Sequence, residues 1–227
     1  IQQAFDDGDL GKLILDKRNP KGLVKGLASQ HEYIHFATKN LEHLKQKNAF
    51  SRDKPNAEMM LLTVENLIKK YGVSDNAREE YKKWLTKNSS LLSGGEKAYR
   101  FIDEDGNIFQ PVSMAAPDKP ETRSHRPLIH PVTGKSCPVP AKGWRFKDEE
   151  MDLLLKNNRI VFGSDENTQP RNKYLLKENL IEVVPSIYYM GGSDDDFFKN
   201  VLLSFPNPKP LKTALYCIQA MARPKDS

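Results

Sequence analysis

The sequence predicts a mixed α/β protein in which a cationic, proline-rich segment lies between regular elements. Short runs typical of strands occur at Lys12–Asp16 and Glu32–Ala37. Two amphipathic patterns typical of helices follow at Asn56–Tyr71 and Ser74–Lys87. Repeated proline and glycine between Arg123 and Phe146 excludes a helix there and favours a β-ribbon or an extended arm.

The two strand-like runs are expected to pair in one sheet. In the second run Tyr33 and His35 alternate with Ile34 and Phe36, which predicts a strand buried on at least one face. The polar stretch 41–50 that follows is expected to connect two regions.

The two helical patterns predict a small helical hairpin. Asn56 and Ser74 stand at the positions of N-caps, and Gly72 stands where the first helix would stop. The aromatic residues of the second pattern, Tyr81 and Trp84, are expected to belong to the core and not to a ligand site.

The remaining elements follow the same rules of periodicity and turn chemistry. Asp105-Gly106 predicts the turn of a β-hairpin, Thr133-Gly134 a tight turn, and Pro210 the first turn of a helix. The predicted ranges are a hairpin at 99–109, a helix at 147–156, a strand at 159–162, an extended segment at 183–190, a helix at 198–203 and a helix running to about Met221.

Composition limits the class of protein. The chain has 227 residues, a net charge of +5, 38% hydrophobic residues and a pI near 9.0, which fits one large domain or two small ones. No apolar run has the length of a membrane span, and no signal peptide is visible. Cys137 and Cys217 lie far apart, so reduced cytosolic thiols are expected. The start at Ile1, without an initiator Met, is expected to be a trimmed end or a fragment boundary.

No hydrolytic, metal or nucleotide-binding motif stands out. His31 and His35 fall on one face of a strand, about 13 Å apart, which is too far for one metal ion. Cys137 has no acid–base partner that the sequence reveals, and no glycine-rich phosphate loop follows a strand. The acids at 194–196 are typical of a solvated helix start.

Cationic side chains are concentrated in one stretch, since seven of them lie between Lys119 and Lys147. Arginine and lysine neutralise phosphates, and on a ribbon they can also reach guanine edges in the major groove. This favours contact with DNA or RNA. The alternative interpretation is a solvated basic loop with Trp144 in a core.

Several segments, in the same order, resemble one family. They are KLILDKRNPKG with QHEYIHFATKN, then GEKAYRFIDEDGNIF, RPLIHPVTGKSCPVPAKGWRF and RIVFGSDENTQPRNKYLL, and last FPNPKPLKTALYCI. Together they resemble the amino-methyltransferases that methylate adenine N6 in DNA, of the type found in type III restriction–modification systems. The last segment is similar to that family's motif X, a Pro-Lys-Pro turn beside the S-adenosylmethionine pocket.

The resemblance implies a partial fold. It implies an edge of a Rossmann-like methyltransferase sheet at 1–50, a helical hairpin and mixed α+β target-recognition insert at 51–199, and a motif X-like return at 200–227. The family's DPPY-type motif is expected upstream of Ile1 and its FxGxG loop after Ser227, and neither occurs in this chain. The chain is therefore expected to supply no catalytic residue and to be inactive alone.

The resemblance also implies site residues. For S-adenosylmethionine it implies Asn207, Lys209 and Pro210, with Lys209 pairing with the methionine carboxylate; the alternative is a solvated lysine at a helix start. Arg18 and Lys21 are candidates for a phosphate contact or for a surface loop. The residues expected to contact DNA are Arg123, His125, Arg126, His130, Lys135, Lys142, Trp144, Arg145, Arg171 and Lys173, with Trp144 also a candidate for the core.

The expected partners are duplex DNA, a restriction subunit and a second methyltransferase subunit, in a prokaryotic cytoplasm and with no membrane. Two alternatives remain. One is a catalytically empty DNA-binding or assembly module. The other is an RNA-binding protein that stacks bases on Trp144.

Overall fold

The computed structural model describes residues 8–18, 26–46, 49–189 and 209–221. The chain divides into two compact units, unit 1 of residues 1–53 with 181–227 and unit 2 of residues 54–180. The sequence placed the corresponding divisions after residues 50 and 199. The methyltransferase and recognition roles of these ranges stay predictions.

The described elements have the following bounds in chain order. The strands are β1 (Asp9–Asp16), β2 (His31–Ala37), β3 (Ser51–Asp53), β4 (Phe101–Ile102), β5 (Ile108–Ser113), β6 (Ile160–Val161), β7 (Arg171–Leu175), β8 (Ile181–Val183) and β9 (Ile187–Tyr189). The helices are α1 (Leu41–Gln46), α2 (Ala57–Tyr71), α3 (Asp75–Lys87), α4 (Gly94–Lys97), α5 (Asp148–Lys156) and α6 (Leu211–Met221).

Unit 1 contains the predicted strand pair. Strands β1 and β2 are antiparallel, with Leu13 opposite Ile34, so their expected pairing is confirmed. Strand β9 pairs with β1 in parallel to give a three-stranded sheet. Leu13 and Leu15 of β1 are buried. Among the described residues the sheet has no further strand, so a Rossmann-like sheet is not established by the fold.

One connection in unit 1 differs from the sequence interpretation. The polar stretch 41–50 begins with helix α1, which buries none of its residues. The side chain of Asn40 accepts a hydrogen bond from the amide of His43 at 2.9 Å, and such a cap offsets the unpaired amides at a helix start. This cap helps to stabilise a short helix in a stretch whose polar composition predicted a connection between two regions.

Unit 2 begins with the predicted helical hairpin, α2 and α3. Met60, Val64 and Tyr81 are buried in its core, and the hydroxyl of Tyr81 donates to the carbonyl of Tyr99 at 2.9 Å. The side chain of Ser74 accepts from the amide of Ala77, so its predicted role as a cap is confirmed.

Asn56 stands at the predicted cap position but does not cap α2 with its side chain. Its amide and its Nδ2 instead donate to the two carboxylate oxygens of Glu96, at 2.8 and 3.0 Å. The amide of Ser93 also donates to Glu96, at 2.8 Å. A fully buried carboxylate thus ties the start of α2 to α4, because a buried charge is stable only when its acceptors are satisfied.

A four-stranded antiparallel sheet completes unit 2, in the order β4-β5-β7-β6. The hairpin of β4 and β5 turns at Gly106, whose φ is 80°, so the predicted hairpin is confirmed. At one end of the sheet Ser113, Arg171 and Val161 lie in a row across three strands. We call this the Ser113 end.

The two ends of unit 2 lie together. The amide of Lys54 donates to the carbonyl of Leu180 at 2.7 Å. In unit 1, β3 and β8 pair immediately beyond them, with Asp53 opposite Ile181. The chain therefore enters and leaves unit 2 through two adjacent, paired strands.

Near the C-terminus, helix α6 begins just after Pro210, as predicted. The predicted helix at 198–203, the acids at 194–196, Lys21 and Asn207 lie outside the described residues.

We expect replacing Glu96 by Gln to lower the stability of the protein at neutral pH by about 1–3 kcal/mol, since an amide cannot accept all three hydrogen bonds. Burial by itself raises the pKa of Glu96, but the hydrogen bonds from Ser93 and Asn56 outweigh it and its pKa lies below the ordinary value. Its contribution is therefore present above the unfolded-state pKa of about 4.3 and is lost as pH falls through the lower folded-state pKa.

Urea unfolding at pH 7 and pH 3 measures this, with the exposed Glu58→Gln as control. A Glu96→Gln penalty of the same size at both pH values would contradict the assignment.

Candidate nucleic-acid interface

The basic segment 123–146 is an integral part of unit 2 and is neither a continuous ribbon nor an extended arm. Trp144 is fully buried, and its indole N–H donates to the carbonyl of Arg126 at 2.8 Å. Its backbone bridges both Ala115 and Ser124. Met114, Leu128, Met151 and Ile160 form the core around the indole. The segment is irregular because prolines interrupt pairing, and it is fixed by this aromatic side chain.

A small hairpin does form within the segment, at residues 128–137. Ile129 bridges Ser136, and the amide of Cys137 donates to the carbonyl of Leu128 at 2.7 Å. The turn is completed by Gly134, whose φ is 68°. The predicted turn at Thr133-Gly134 is thus confirmed. We call residues 128–137 the tip hairpin.

His130 holds the turn of the tip hairpin from inside. Its side chain is buried, and Nδ1 accepts from the amides of Val132 and Thr133 at 3.3 and 3.2 Å. Because Nδ1 accepts, the proton must be on Nε2, which donates to the carbonyl of Gly163 at 3.1 Å. His130 therefore positions the turn and has no free ring nitrogen for DNA.

Most of the predicted DNA-contacting cations are already paired with carboxylates. The pairs are Arg123 with Asp118 at 3.2 Å, Arg126 with Asp152 at 2.6 Å, Lys135 with Glu166 at 2.8 Å and Lys173 with Glu104 at 3.0 Å. A paired cation must give up its carboxylate before it binds phosphate, so these side chains have less to gain from DNA.

The carboxylate partners were missed by the sequence interpretation. The Lys135 ammonium lowers the pKa of Glu166 to about 2, and the hydrogen bond to Asp152 raises the pKa of Arg126. Neither acid is adjacent in sequence to its partner, and nothing in the local pattern indicated them.

Two of the predicted residues, Arg145 and Arg171, are exposed cations. Among the described residues, no hydrogen bond or ion pair engages the side chain of Arg145 or Arg171. The amide of Arg145 donates to the carbonyl of Met114 at 2.8 Å, and Met114 follows Ser113, which lies opposite Arg171. Both arginines therefore lie at the Ser113 end of the sheet.

The same end of the sheet also receives the tip hairpin. Val161 belongs to the row that contains Ser113. Gly163, which follows Val161 by two residues, accepts the hydrogen bond from His130. Lys142 is exposed, and its ammonium donates to the carbonyl of Pro117 at 2.7 Å. The fold thus brings together Lys142, Arg145, Arg171 and the tip hairpin.

Three of the residues predicted to contact DNA have buried side chains. Trp144, His130 and Lys173 are 0%, 2% and 4% exposed, and their polar atoms bond within the protein. They are therefore not proposed as DNA contacts. His125 is exposed, with Nδ1 3.1 Å from the carbonyl of Arg123, and its DNA contact stays a prediction.

The predicted cofactor residues lie in unit 1. The Lys209 ammonium is 2.7 Å from one carboxylate oxygen of Glu32, and Lys17 binds the other. The hydrogen bonds from Lys17 and then from Lys209 lower the pKa of Glu32. Two ammonium groups share one carboxylate, so these three side chains together carry one net positive charge. Pro210 is buried, and its carbonyl accepts from Thr213 at 2.8 Å.

Arg18, a candidate for a phosphate contact, lies over the ring of Tyr189, with the guanidinium 4.1 Å from the ring centroid. Its Nε is 3.2 Å from Asp16. These contacts engage the guanidinium within unit 1, so they favour the surface-loop interpretation of Arg18 over a phosphate contact.

In the part of the chain that the structure describes, no helix has the length and apolarity needed to cross a bilayer. Within the same residues, no group of three or more His, Cys, Asp or Glu side chains is placed to hold a metal ion.

Comparison with known proteins shows similarity to a restriction–modification enzyme. The chain is 29% identical over 211 residues to the type III restriction-modification enzyme EcoP15I Mod subunit of Escherichia coli, which covers 90% of this chain and 31% of that protein. The resemblance to this family of Mod subunits, predicted from the sequence, is confirmed. The chain spans about a third of the length of this relative. No family model matches the chain.

We expect His130→Ala to free the turn of the tip hairpin, because the amides of Val132 and Thr133 lose their acceptor. An amide held this way exchanges only when the structure opens. Hydrogen exchange at 132 and 133 should therefore accelerate by at least tenfold. The exposed His125→Ala is the matched control. Unchanged protection of these amides in His130→Ala would contradict the role assigned to the imidazole.

Proposed function

We propose that this chain is the central part of a site-specific DNA methyltransferase that transfers a methyl group from S-adenosylmethionine to adenine N6 in duplex DNA. Its main contribution is target recognition. The observation that carries the proposal is the similarity to a Mod subunit over 90% of the chain. It is supported by two arginines, unpaired among the described residues, at one end of a four-stranded sheet.

The recognition role is supported by the arrangement at the Ser113 end. A binding residue on a loop is precise only when a rigid scaffold holds the loop, and Trp144 and His130 hold this one from inside. Arg145, Arg171 and Lys142 are the proposed principal contacts. Arginine suits both phosphate and the guanine edge. Arg123, Arg126 and Lys135 are secondary, because their acids compete with phosphate.

The proposed reaction explains why recognition occupies a separate unit. The amino group of adenine is a weak nucleophile, because its lone pair is delocalised into the ring. The base must leave the stack and be held in line with the methyl group. Unit 2 would hold the flanking duplex while the base is extruded. The parts that grip the base and the cofactor would come from the motifs absent from this sequence.

For the cofactor, this chain would supply one anchor. S-adenosylmethionine supplies the methyl group when bound, and Lys209, positioned by Glu32, would hold its carboxylate. Asn207 is proposed to assist on sequence grounds alone. A restriction subunit and a second methyltransferase subunit remain proposed partners of the parent protein.

A second candidate is a stand-alone DNA-binding module. The observation that favours it is that unit 2 contains two buried cores of its own, one around Tyr81 and one around Trp144. The stand-alone module would bind DNA through the same surface as the methyltransferase of the first proposal, but it would not transfer a methyl group. The RNA interpretation loses its main support, because the Trp144 ring is fully buried and cannot stack on a base.

We expect duplex binding by this chain to weaken steeply with salt, and Arg145→Ala or Arg171→Ala to reduce the slope of log affinity against log salt by about one each. Arg126→Ala should change it less, since Asp152 already neutralises that side chain. Fluorescence anisotropy over a salt series measures the slopes. Lys87→Ala, which removes the same charge from the helical hairpin, is the control.

Two results of the salt series would count against the proposed surface. One is an equal effect of Lys87→Ala and Arg145→Ala, which would indicate a diffuse charge effect. The other is the absence of duplex binding at low salt by a folded chain, which would remove both the stand-alone module and the DNA contact of this fragment.

We expect Lys209→Ala, in a longer protein that contains this chain and both absent motifs, to weaken S-adenosylmethionine binding about tenfold, as for a hydrogen bond to a charged group of ~1.5 kcal/mol. A cofactor analogue without the carboxylate should bind wild type and variant equally. Isothermal titration with both ligands makes the comparison, and Lys212→Ala, which removes an exposed lysine from the first turn of α6, is the control. An equal loss for both ligands would refute carboxylate binding.

A further inference from the structure

The turn of the tip hairpin, in the middle of the basic segment 123–146, presents apolar side chains. Val132 is 85% exposed and Ile129 is 52% exposed, whereas Leu128 and His130 between and beside them are buried. Pro131 is also exposed. Ile129, Pro131 and Val132 therefore present apolar side chains to solvent at the tip.

The backbone of the turn is not available to a phosphate. The amides of Val132 and Thr133 donate to His130 Nδ1, and the amide of Gly134 donates to the His130 carbonyl at 3.0 Å. Pro131 has no N–H. Every N–H of the turn from 131 to 134 is therefore engaged within the protein, and the exposed side chains of Pro131 and Val132 offer only carbon atoms.

The one cation of the tip is also engaged. Lys135 is held by Glu166 at 2.8 Å, and this pair joins the hairpin to the loop that follows β6. The tip is thus a rigid apolar projection, and it lies at the same end of the sheet as Arg145 and Arg171.

We propose that the tip hairpin enters the major groove of duplex DNA and packs Val132 against the 5-methyl group of a thymine. The proposal rests on the proposed DNA-binding function. A two-stranded ribbon fits the major groove, and the thymine methyl is the apolar group exposed there. The arginines would hold the phosphates or guanines beside it, so Val132 would contribute to the choice of sequence.

The test uses the full 227-residue chain and synthetic duplexes. Duplexes that the wild type retains from a random pool are resynthesised with each thymine in turn replaced by uracil, which removes only the methyl group. At one position the wild type should bind the uracil duplex about fourfold more weakly, as expected for one buried methyl at ~0.8 kcal/mol.

Val132→Ala should bind thymine and uracil at that position equally. Val183→Ala is the matched control, because Val183 is 78% exposed and lies in unit 1; it should keep the fourfold difference. Thermal unfolding confirms that both variants are folded.

Two results would overturn the proposal while leaving DNA binding intact. One is a wild type that binds duplexes but shows no thymine-to-uracil effect at any position. The other is a Val132→Ala variant that keeps the full effect. Failure of the wild type to bind any duplex at low salt is a different result, which overturns the proposed DNA binding by this chain and this inference together.

Discussion

The burial of Trp144 is the constraint on which the candidate surface depends. Residues 123–146 have almost no regular secondary structure, so few backbone ladders fix their position. The indole is fully enclosed, donates to the Arg126 carbonyl, and lies on a backbone that bridges two other segments. A buried aromatic ring contributes more apolar contact than any other side chain of the segment. The cations on the outside are therefore held by an aromatic core on the inside.

Much of the fold could be predicted because it depends on local patterns. The strand pair of unit 1, the helices at 57–71 and 75–87, and the turn at Gly106 all follow from periodicity and turn residues. What failed depends on distant groups. Asn56 occupies a cap position, but its side chain bonds to Glu96, forty residues away. No local rule indicates that a glutamate so distant will be buried there.

The candidate site could be predicted as a segment but not as a set of contacts. The cation-rich composition located it, yet the carboxylates that neutralise those cations come from elsewhere: Asp152 lies 26 residues from Arg126, and Glu166 lies 31 residues from Lys135. Charge in a sequence is counted one residue at a time, whereas binding depends on pairs formed in space. The distinction between the unpaired Arg145 and the paired Arg126 therefore needed the structure.

The adjacent ends of unit 2 have an evolutionary consequence. The first and last residues of unit 2, Lys54 and Leu180, are joined by a hydrogen bond. The strands that flank the unit, β3 and β8, pair with each other, and this pairing does not depend on the residues between them. Such a unit can be exchanged between related genes by two crossovers without disturbing the host sheet. If unit 2 recognises the target sequence, as proposed, one such exchange would replace the whole set of DNA contacts at once and leave β3 and β8 paired as they are.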